Sequence, residues 1–234
     1  LENTGSNGAS LVLGFMLTAA LISMWVMNTA TTIMLLPIGL AVITVVKETV
    51  KGLTEKETEN FQLSLLLGIA YGATIGGMST LIGTGPNGML AAFMADNYDL
   101  DISFVDWMKV GVPLSAIMLP CSWYVLTRII YPVRFKTSEE TTALLSSMKD
   151  ELGEFQGPEV KVFLVFVFTA LFWMLRTVLD DLPGLGGLSD AGIAMVSALV
   201  LFLLPSGNKE RKGPLLEWED AQKNVPWGLL VLFG

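Results

Sequence analysis

Long uncharged runs alternate with short charged loops along this chain of 234 residues. The first run, residues 10–46, is 37 residues long, and the polar cluster of residues 28–32 (Asn-Thr-Ala-Thr-Thr) divides it into halves of about 17 residues. Each half makes roughly 25 Å of helix, which is short for a hydrocarbon core of about 30 Å. The pattern therefore predicts a re-entrant helical hairpin rather than two full membrane spans.

Glycine and proline interrupt the second apolar run. Within residues 61–81, Gly68, Gly72 and Gly76 recur at four-residue spacing, which lets a neighbouring helix approach closely. The run breaks at residues 82–87, where Gly-Thr-Gly unwinds the chain and the following proline suits the first turn of a new helix. We therefore expect a discontinuous transmembrane helix over residues 61–95.

The rest of the chain predicts further helices around the same bilayer. Pro113 and Pro120 are expected to bend the first of them. The predicted helices are a span over residues 110–131, an amphipathic helix over residues 137–158, spans over residues 162–179 and 191–205, and a final span from about residue 226. The predicted fold class is all-α: a polytopic membrane protein with a re-entrant hairpin and a discontinuous helix, preceded by a polar entry segment over residues 1–9.

Composition supports lipid as the solvent and excludes several classes of function. Hydrophobic residues make up 52% of the chain, charged residues 15%, and the mean hydropathy is +0.60, whereas a soluble chain is about 25% charged. A net charge of −8 argues against a nucleic-acid partner, which needs a basic surface. The absence of histidine excludes zinc–histidine sites and Ser–His catalysis, and the single cysteine, Cys121, excludes a disulfide framework. We therefore expect that the protein is not an enzyme and that it has no catalytic residues.

Positive charge is concentrated in three loops. If the hairpin enters and leaves on one side, residues 47–60, 132–161 and 206–225 share that side, and they hold eleven of the 14 lysine and arginine residues. Arg128 lies near the same side, whereas Lys109 and Arg176 lie near the other. The positive-inside rule predicts that the three loops are cytoplasmic in a multi-pass protein of the inner or plasma membrane.

Each interruption places a helix N-terminus at membrane depth. Such an N-terminus has unpaired N–H groups and about half a positive charge, so the two together predict an anion site without Arg or Lys. The preceding half-helices end in carbonyls that, with the Ser23 and Asn28 oxygens, suit a small hard cation such as sodium. An anion site beside a cation site indicates a carrier for carboxylates or sulfate.

The residues at both interruptions resemble those of a known family. Residues 24–32 (MWVMNTATT), followed by Leu-Leu-Pro-Ile at 35–38, resemble the first hairpin motif of the divalent anion/sodium symporter family. Residues 68–77 and 81–87 resemble that family's broken-helix motif, and residues 227–234 resemble the start of its second repeat. The chain starts without Met and stops inside an apolar run, so we expect a fragment of a longer protein.

The resemblance implies a homodimeric secondary transporter of succinate, malate or citrate type anions, or of sulfate, built from two inverted repeats. Residues 10–135 would belong to a mobile transport domain that moves like an elevator, and residues 160–234 to a static scaffold and the start of the second repeat. By motif position, the substrate would contact Asn28, Thr29, Thr84, Pro86 and Asn87. Sodium would be bound by Ser23, Met27, Asn28 and Gly83, through the backbone carbonyl alone at Met27 and Gly83.

Two departures from the family pattern leave the mode of transport open. Met27 stands where the family usually has Ser, which removes a hydroxyl, and Gly85 stands where the family often has Pro. Because the family includes sodium-coupled symporters and sodium-independent exchangers, both modes remain candidates. From other functional classes, an anion channel, which would need a continuous polar pore, and a non-transporting membrane scaffold are the alternatives.

Overall fold

The computed structural model describes residues 7–136, 141, 157–179, 187–207, 213–224 and 227, and all regular structure among them is helical. This confirms the predicted all-α class. The helices are α1 (Gly8–Ser23), α2 (Asn28–Thr49), α3 (Glu55–Gly77), α4 (Gly85–Tyr98), α5 (Phe104–Tyr124, continued by a π-helical turn over Val125–Ile130), α6 (Gly157–Leu179), α7 (Asp190–Leu203) and α8 (Trp218–Asn224).

Three of the described helical segments are long and apolar enough to cross a membrane, namely Asn28–Thr49, Phe104–Ile130 and Gly157–Arg176. Helices α1 and α7 are apolar but shorter. Helix α2 is 22 residues long, so the estimate of a short second half of the hairpin was wrong. Lys47 in its last turn favours this extension, because a cation stabilises a helix C-terminus. The length argument for re-entry therefore applies to α1 alone.

A capping box starts α3 at Glu55, inside the loop predicted over residues 47–60. Thr54 Oγ1 accepts a hydrogen bond from Glu57 N at 3.3 Å, and Glu57 Oε2 accepts from Thr54 N at 3.0 Å and from Thr54 Oγ1 at 2.8 Å. These bonds hold the pKa of Glu57 below its usual value, because they stabilise the carboxylate. The bond from the Thr54 backbone N–H contributes more than the bond from the Thr54 hydroxyl.

Helix α1 packs on a glycine face of α3. A Cβ atom placed on Gly72 would lie 2.6 Å from Met16 O, and one on Gly76 would lie 2.2 Å from Ala20 O. Only glycine fits at this distance, which confirms the close helix approach predicted from the spacing. Val12, Phe15, Leu65 and Ile69 are buried in the adjoining core. This packing brings the C-terminal ends of α1 and α3 side by side.

Two interruptions separate the helices of this unit. The first break is residues 24–27, directly before the polar cluster of residues 28–32, which opens α2, and the second break is residues 78–84. The prediction of the second break at residues 82–87 was wrong at both ends, because α3 already stops at Gly77 and Gly85 begins α4. Ser79 and Thr80 follow that stop, and such hydroxyl side chains compete for the backbone hydrogen bonds that would continue a helix.

Helix α5 begins at Phe104, before the predicted start at residue 110, and contains both Pro113 and Pro120. It buries Gly111, Ser115 and Leu119 at four-residue spacing. The predicted amphipathic helix over residues 137–158 lies outside the described residues, except for a buried Thr141 and for residues 157–158, which belong to α6. The predicted final span beyond residue 227 also lies outside them.

The chain divides into two compact units, one of residues 1–102 and 106–153 and the other of residues 103–105 and 154–234. In the second unit α6 and α7 pack together, and Thr169 Oγ1 donates to Ser197 Oγ at 2.7 Å. Arg176 pairs with Asp190 at 3.1 Å. The two breaks both lie in the first unit.

Candidate site at the two helix breaks

A buried serine organises the first break. Ser23 is fully buried, and its hydroxyl donates to Asn28 Oδ1 at 2.8 Å, with Val26 O as a second acceptor at 3.3 Å. Asn28 is the first residue of α2, and its carboxamide lies directly against α3, since a Cβ atom on Gly77 would be 2.1 Å from Asn28 Oδ1. A glycine is therefore required at the end of α3 for Asn28 to occupy this position.

An asparagine from α4 holds the second break. Asn87 is the only buried residue of α4, and its Nδ2 donates to Gly77 O at 2.9 Å and to Thr80 O at 2.8 Å. Gly83, within the second break, packs against the ends of both α3 and α1, because a Cβ atom there would lie 2.5 Å from Gly77 O and 2.9 Å from Ser23 O. The two breaks thus meet in one place, with backbone in contact with backbone.

Among the described residues, no side chain caps the first turn of α2 or α4. The residue before α2 is Met27, which has no hydrogen-bonding group suited to capping. The residue before α4 is Thr84, whose backbone is extended (φ −148°, ψ 145°) and whose hydroxyl makes no capping bond. Thr29 and Pro86 are exposed beside these two N-termini. The first-turn N–H groups of α2 are therefore left for a ligand, as an anion site requires. Helix α4 offers chiefly the N–H of Gly85, because Pro86 has none and Asn87 N donates to Thr84 O at 3.1 Å.

Side chains already use the last carbonyls of α3. Ile75 O accepts from Ser115 Oγ at 2.8 Å, Gly77 O from Asn87 Nδ2 at 2.9 Å, and Met78 O from Trp107 Nε1 at 3.0 Å. The expectation that both half-helices end in free carbonyls was therefore wrong for α3. The physical reason is that α4 and α5 supply donors that satisfy this helix end.

The oxygens available for a cation come from the end of α1 and the start of α2. Ser23, Asn28 and Gly83, three of the predicted sodium-site residues, lie together, with the Ser23 hydroxyl, the Ser23 carbonyl and Asn28 Oδ1 facing one region. Met27 O instead accepts the hydrogen bond of Thr31 N at 3.0 Å, the first bond of α2. Among the described residues no group of His, Cys, Asp or Glu suits a metal ion, whereas neutral oxygens suit sodium.

Sequence reasoning missed three residues that shape this site. Thr80 is fully buried between the breaks, and Trp107 and Ser115 on α5 hold the end of α3. Thr80 and Ser115 carried a signal, because a polar residue beside an interruption or inside an apolar span must find a partner. Trp107 carried none, since it lies among the aspartates of a loop-like stretch.

Comparison with known proteins identifies the family. The profile of a family described as "sodium:sulfate symporter transmembrane region" matches residues 2–234. The chain belongs to this family. The match covers both breaks and the helices that follow them, and it confirms the resemblance to divalent anion/sodium symporters that the break residues indicated.

Relatives in this family carry a more specific name. The chain is 35% identical over 236 aligned residues to a sodium-dependent dicarboxylate transporter, SdcS, of Staphylococcus saprophyticus, and the alignment covers 100% of the chain and 45% of the relative. It is 34% identical over 232 residues to the SdcS protein of Staphylococcus aureus, covering 98% of the chain and 44% of the relative. The chain thus spans about half the length of the symporter family members it matches.

Proposed function

We propose that the protein containing this chain is a secondary active transporter of dicarboxylates of the succinate, malate or citrate type. The observation that carries the proposal is the meeting of two uncapped helix N-termini, α2 and α4, beside the oxygen-lined end of α1. Membership of a family whose relatives are named sodium-dependent dicarboxylate transporters supports the choice of substrate. Because the chain spans about half of those relatives, the proposal concerns the full-length protein.

Two N-termini suit a divalent anion better than one. Each supplies about half a positive charge, so each of the two can attract one charged group of the substrate. Most of the free backbone N–H donors come from α2, because Pro86 in the first turn of α4 has no N–H and Asn87 N donates to Thr84 O. Neither break contains Lys or Arg, so the positive potential comes from backbone dipoles. We propose that Asn28, Thr29, Thr84 and Pro86 line this site, and that Asn87 contributes by holding the second break through its two carbonyl contacts.

Sodium would bind next to the anion. Ser23 and Asn28 provide side-chain oxygens, Gly83 would add its carbonyl, and a cation there would favour the neighbouring anion by direct attraction. The Met27 carbonyl is a weaker candidate because it already accepts from Thr31 N. Sodium-coupled symport is favoured by the names of the relatives. Exchange without sodium is the competing mode, because Met27 removes the hydroxyl that the family usually has.

The wider behaviour of the transporter is proposed from the family resemblance. It would be a homodimer in the inner or plasma membrane, with residues 47–60, 132–161 and 206–225 in the cytoplasm. The first unit would move as part of the transport domain, and the second unit would belong to the scaffold. The description of the family favours sulfate as a second candidate substrate.

Uptake of labelled succinate by the full-length protein in proteoliposomes tests the proposal. We expect uptake driven by an inward sodium gradient into empty vesicles, at least about tenfold above protein-free vesicles, because a charged anion crosses a bare hydrocarbon core poorly. Uptake only against internal unlabelled dicarboxylate, without sodium, would establish exchange instead. Asn28→Ala should abolish either activity, whereas Asn97→Ala should not, because Asn97 is exposed and bonds only within its own helix.

Other outcomes of the same assay decide between the remaining candidate functions. Transport of labelled sulfate but not of succinate, malate or citrate would make the inorganic anion the substrate. A steady anion conductance that exceeds carrier turnover would indicate a channel. No transport of any of these anions by folded protein would contradict the proposed function.

A further inference from the structure

We propose that Thr80 is a positioning residue that holds the α2 and α4 N-termini at a fixed separation for the transported anion. The inference rests on the proposed function and adds to it a residue that is itself neither a predicted substrate contact nor a predicted sodium ligand, but bonds to one of each, Asn87 and Gly83. Its hydroxyl lies between the two breaks and bonds to the backbone of each. The brace consists of this hydroxyl together with the Asn87 carboxamide, which is bonded to Thr80 O.

The Thr80 hydroxyl forms a hydrogen bond with the backbone of each break. Thr80 Oγ1 donates its proton to Met24 O in the first break and accepts a hydrogen bond from Gly83 N, in the second break, at 3.1 Å. The carbonyl of the same residue accepts from Asn87 Nδ2 in the first turn of α4 at 2.8 Å. Thr80 is thereby linked to the chain that enters α2 and to the chain that enters α4. Its side chain is 0% exposed, so water cannot take over these bonds without entering the core.

The position of Thr80 makes its bonds matter for binding. Met24 lies a few residues before the start of α2, and Gly83 lies directly before Thr84, the residue that precedes α4. A divalent anion held by both N-termini binds well only if both are correctly placed before it arrives, since ordering them on binding costs affinity. Removing the hydroxyl leaves Met24 O and Gly83 N without their partner, so the two breaks are free to separate.

Two other threonines of this unit bond only within their own helices. Thr74 Oγ1 bonds to Ala70 O at 3.0 Å and Thr18 Oγ1 bonds to Gly14 O at 2.9 Å, each the carbonyl four residues earlier in its own helix. Such bonds join no second element and slightly weaken a helix if anything. Thr74 lies on α3, close to the second break in sequence, so it provides a matched control for the same chemical change.

The test compares Thr80→Val, Thr80→Ser and Thr74→Val in the full-length protein in proteoliposomes. Valine keeps the shape but removes the hydroxyl, and serine restores the hydroxyl alone. We expect Thr80→Val to raise the KM for succinate at least about tenfold while Vmax per folded protein changes less than about threefold, Thr80→Ser to stay within about threefold of wild type, and Thr74→Val to match wild type. If Thr80→Val is not recovered as folded protein, Thr80→Ala carries the test with the same criterion.

The outcomes separate positioning from mere packing. A KM unchanged in folded Thr80→Val, or a loss that Thr80→Ser does not restore, would overturn the proposal. If wild-type protein transports none of the anions tested, it is the proposed function that fails, and the brace is then judged by thermal unfolding. There, a fall in Tm for Thr80→Val no larger than for Thr74→Val contradicts the brace, and a larger fall that Thr80→Ser restores supports it.

Discussion

Three helices that begin outside the breaks, α1, α3 and α7, are capped by a side chain, whereas the two helices that begin at the breaks are not. Asn7 Oδ1 accepts from Ala9 N at 3.2 Å before α1, and Ser189 Oγ accepts from Gly192 N at 3.0 Å before α7. Thr54 and Glu57 form the reciprocal box before α3. The first turns of α2 and α4, within the described residues, have no such side chain.

The difference separates ends that stabilise the fold from ends that are open to a ligand. A side-chain cap is worth about 0.5–2 kcal/mol, and Thr84 is of a residue type that often caps, yet its hydroxyl does not do so. Both uncapped ends lie in the candidate site, where a bound anion would take the place of the cap. Stability is commonly given up at sites in this way. The predictions below either disturb the uncapped ends or make them resemble the capped ones.

The largest effect is expected where the two breaks touch. Gly83→Ala would place a Cβ atom 2.5 Å from Gly77 O and 2.9 Å from Ser23 O, and backbone atoms cannot move aside as a side-chain tip can. Overpacking costs about 1–3 kcal/mol, or up to about 100-fold in an equilibrium constant. We expect uptake of the labelled dicarboxylate per folded protein to fall by about that factor.

Gly88→Ala is the matched control for this substitution. Gly88 lies on α4 shortly after the second break, and a Cβ atom there would meet nothing within 4 Å. Its uptake should stay within about twofold of wild type, because alanine is a good helix former. Equal losses in both variants would show that the crowding around Gly83 has no special importance.

A smaller effect is expected when the uncapped end of α2 is capped. Met27 is the residue before α2, so Met27→Asp should bond to first-turn N–H groups and raise the Tm of the protein. Its negative charge would also occupy the anion site. At about 4 Å a like charge costs about 4 kcal/mol near a protein surface, so we expect the KM for succinate to rise at least about tenfold.

Met27→Asn separates the cap from the charge. It should raise the Tm in a similar way but change the KM less than Met27→Asp, because asparagine caps without a negative charge. The measurements are thermal unfolding and the concentration dependence of uptake. If aspartate leaves the KM unchanged, the α2 N-terminus does not face the anion, and the contrast between capped and uncapped ends has no functional meaning.

Much of the fold could be predicted from the sequence because membrane helices appear in it as long apolar runs. The spacing of Gly68, Gly72 and Gly76 indicated the face on which α1 packs, since a helix interface of this kind needs only local periodicity. The start of α3 was predictable as well: Thr54 and Glu57 have capping-box spacing. The apolar pattern outweighed that signal and moved the predicted helix start to residue 61.

The interior of the site was less predictable because its bonds join residues far apart in the chain. Ser23 and Asn28 stood out as polar residues in an apolar run, and they do lie together. The contacts of Trp107 with Met78 O and of Ser115 with Ile75 O depend on how α5 packs against α3. No local pattern encodes that packing, so the availability of the α3 carbonyls could not be inferred from the sequence.

The smallest effect is expected when a capped end loses its cap. Thr54→Ala removes the hydroxyl from the box before α3, and the loss of a threonine cap on one exposed helix end should lower the Tm by about 2 °C. The KM for succinate should not change, because this box is at the loop end of α3 and the breaks are at the other. Thr58→Ala is the control, since Thr58 Oγ1 bonds only to Thr54 O within the first turn.

The pH dependence of this stability difference identifies the box as its cause. The pKa of Glu57 is lowered by its bonds from Thr54, so the stability that Glu57 contributes is present above its unfolded pKa, about 4.3. That contribution is lost as the pH falls through the lower, folded value. The Tm difference between wild type and Thr54→Ala should therefore be greatest near pH 7 and shrink below about pH 4. A Tm difference that stays constant down to pH 3 would show that the capping box is not its cause. A raised KM in Thr54→Ala would show that a capped helix end also affects binding, which contradicts the contrast between capped and uncapped ends.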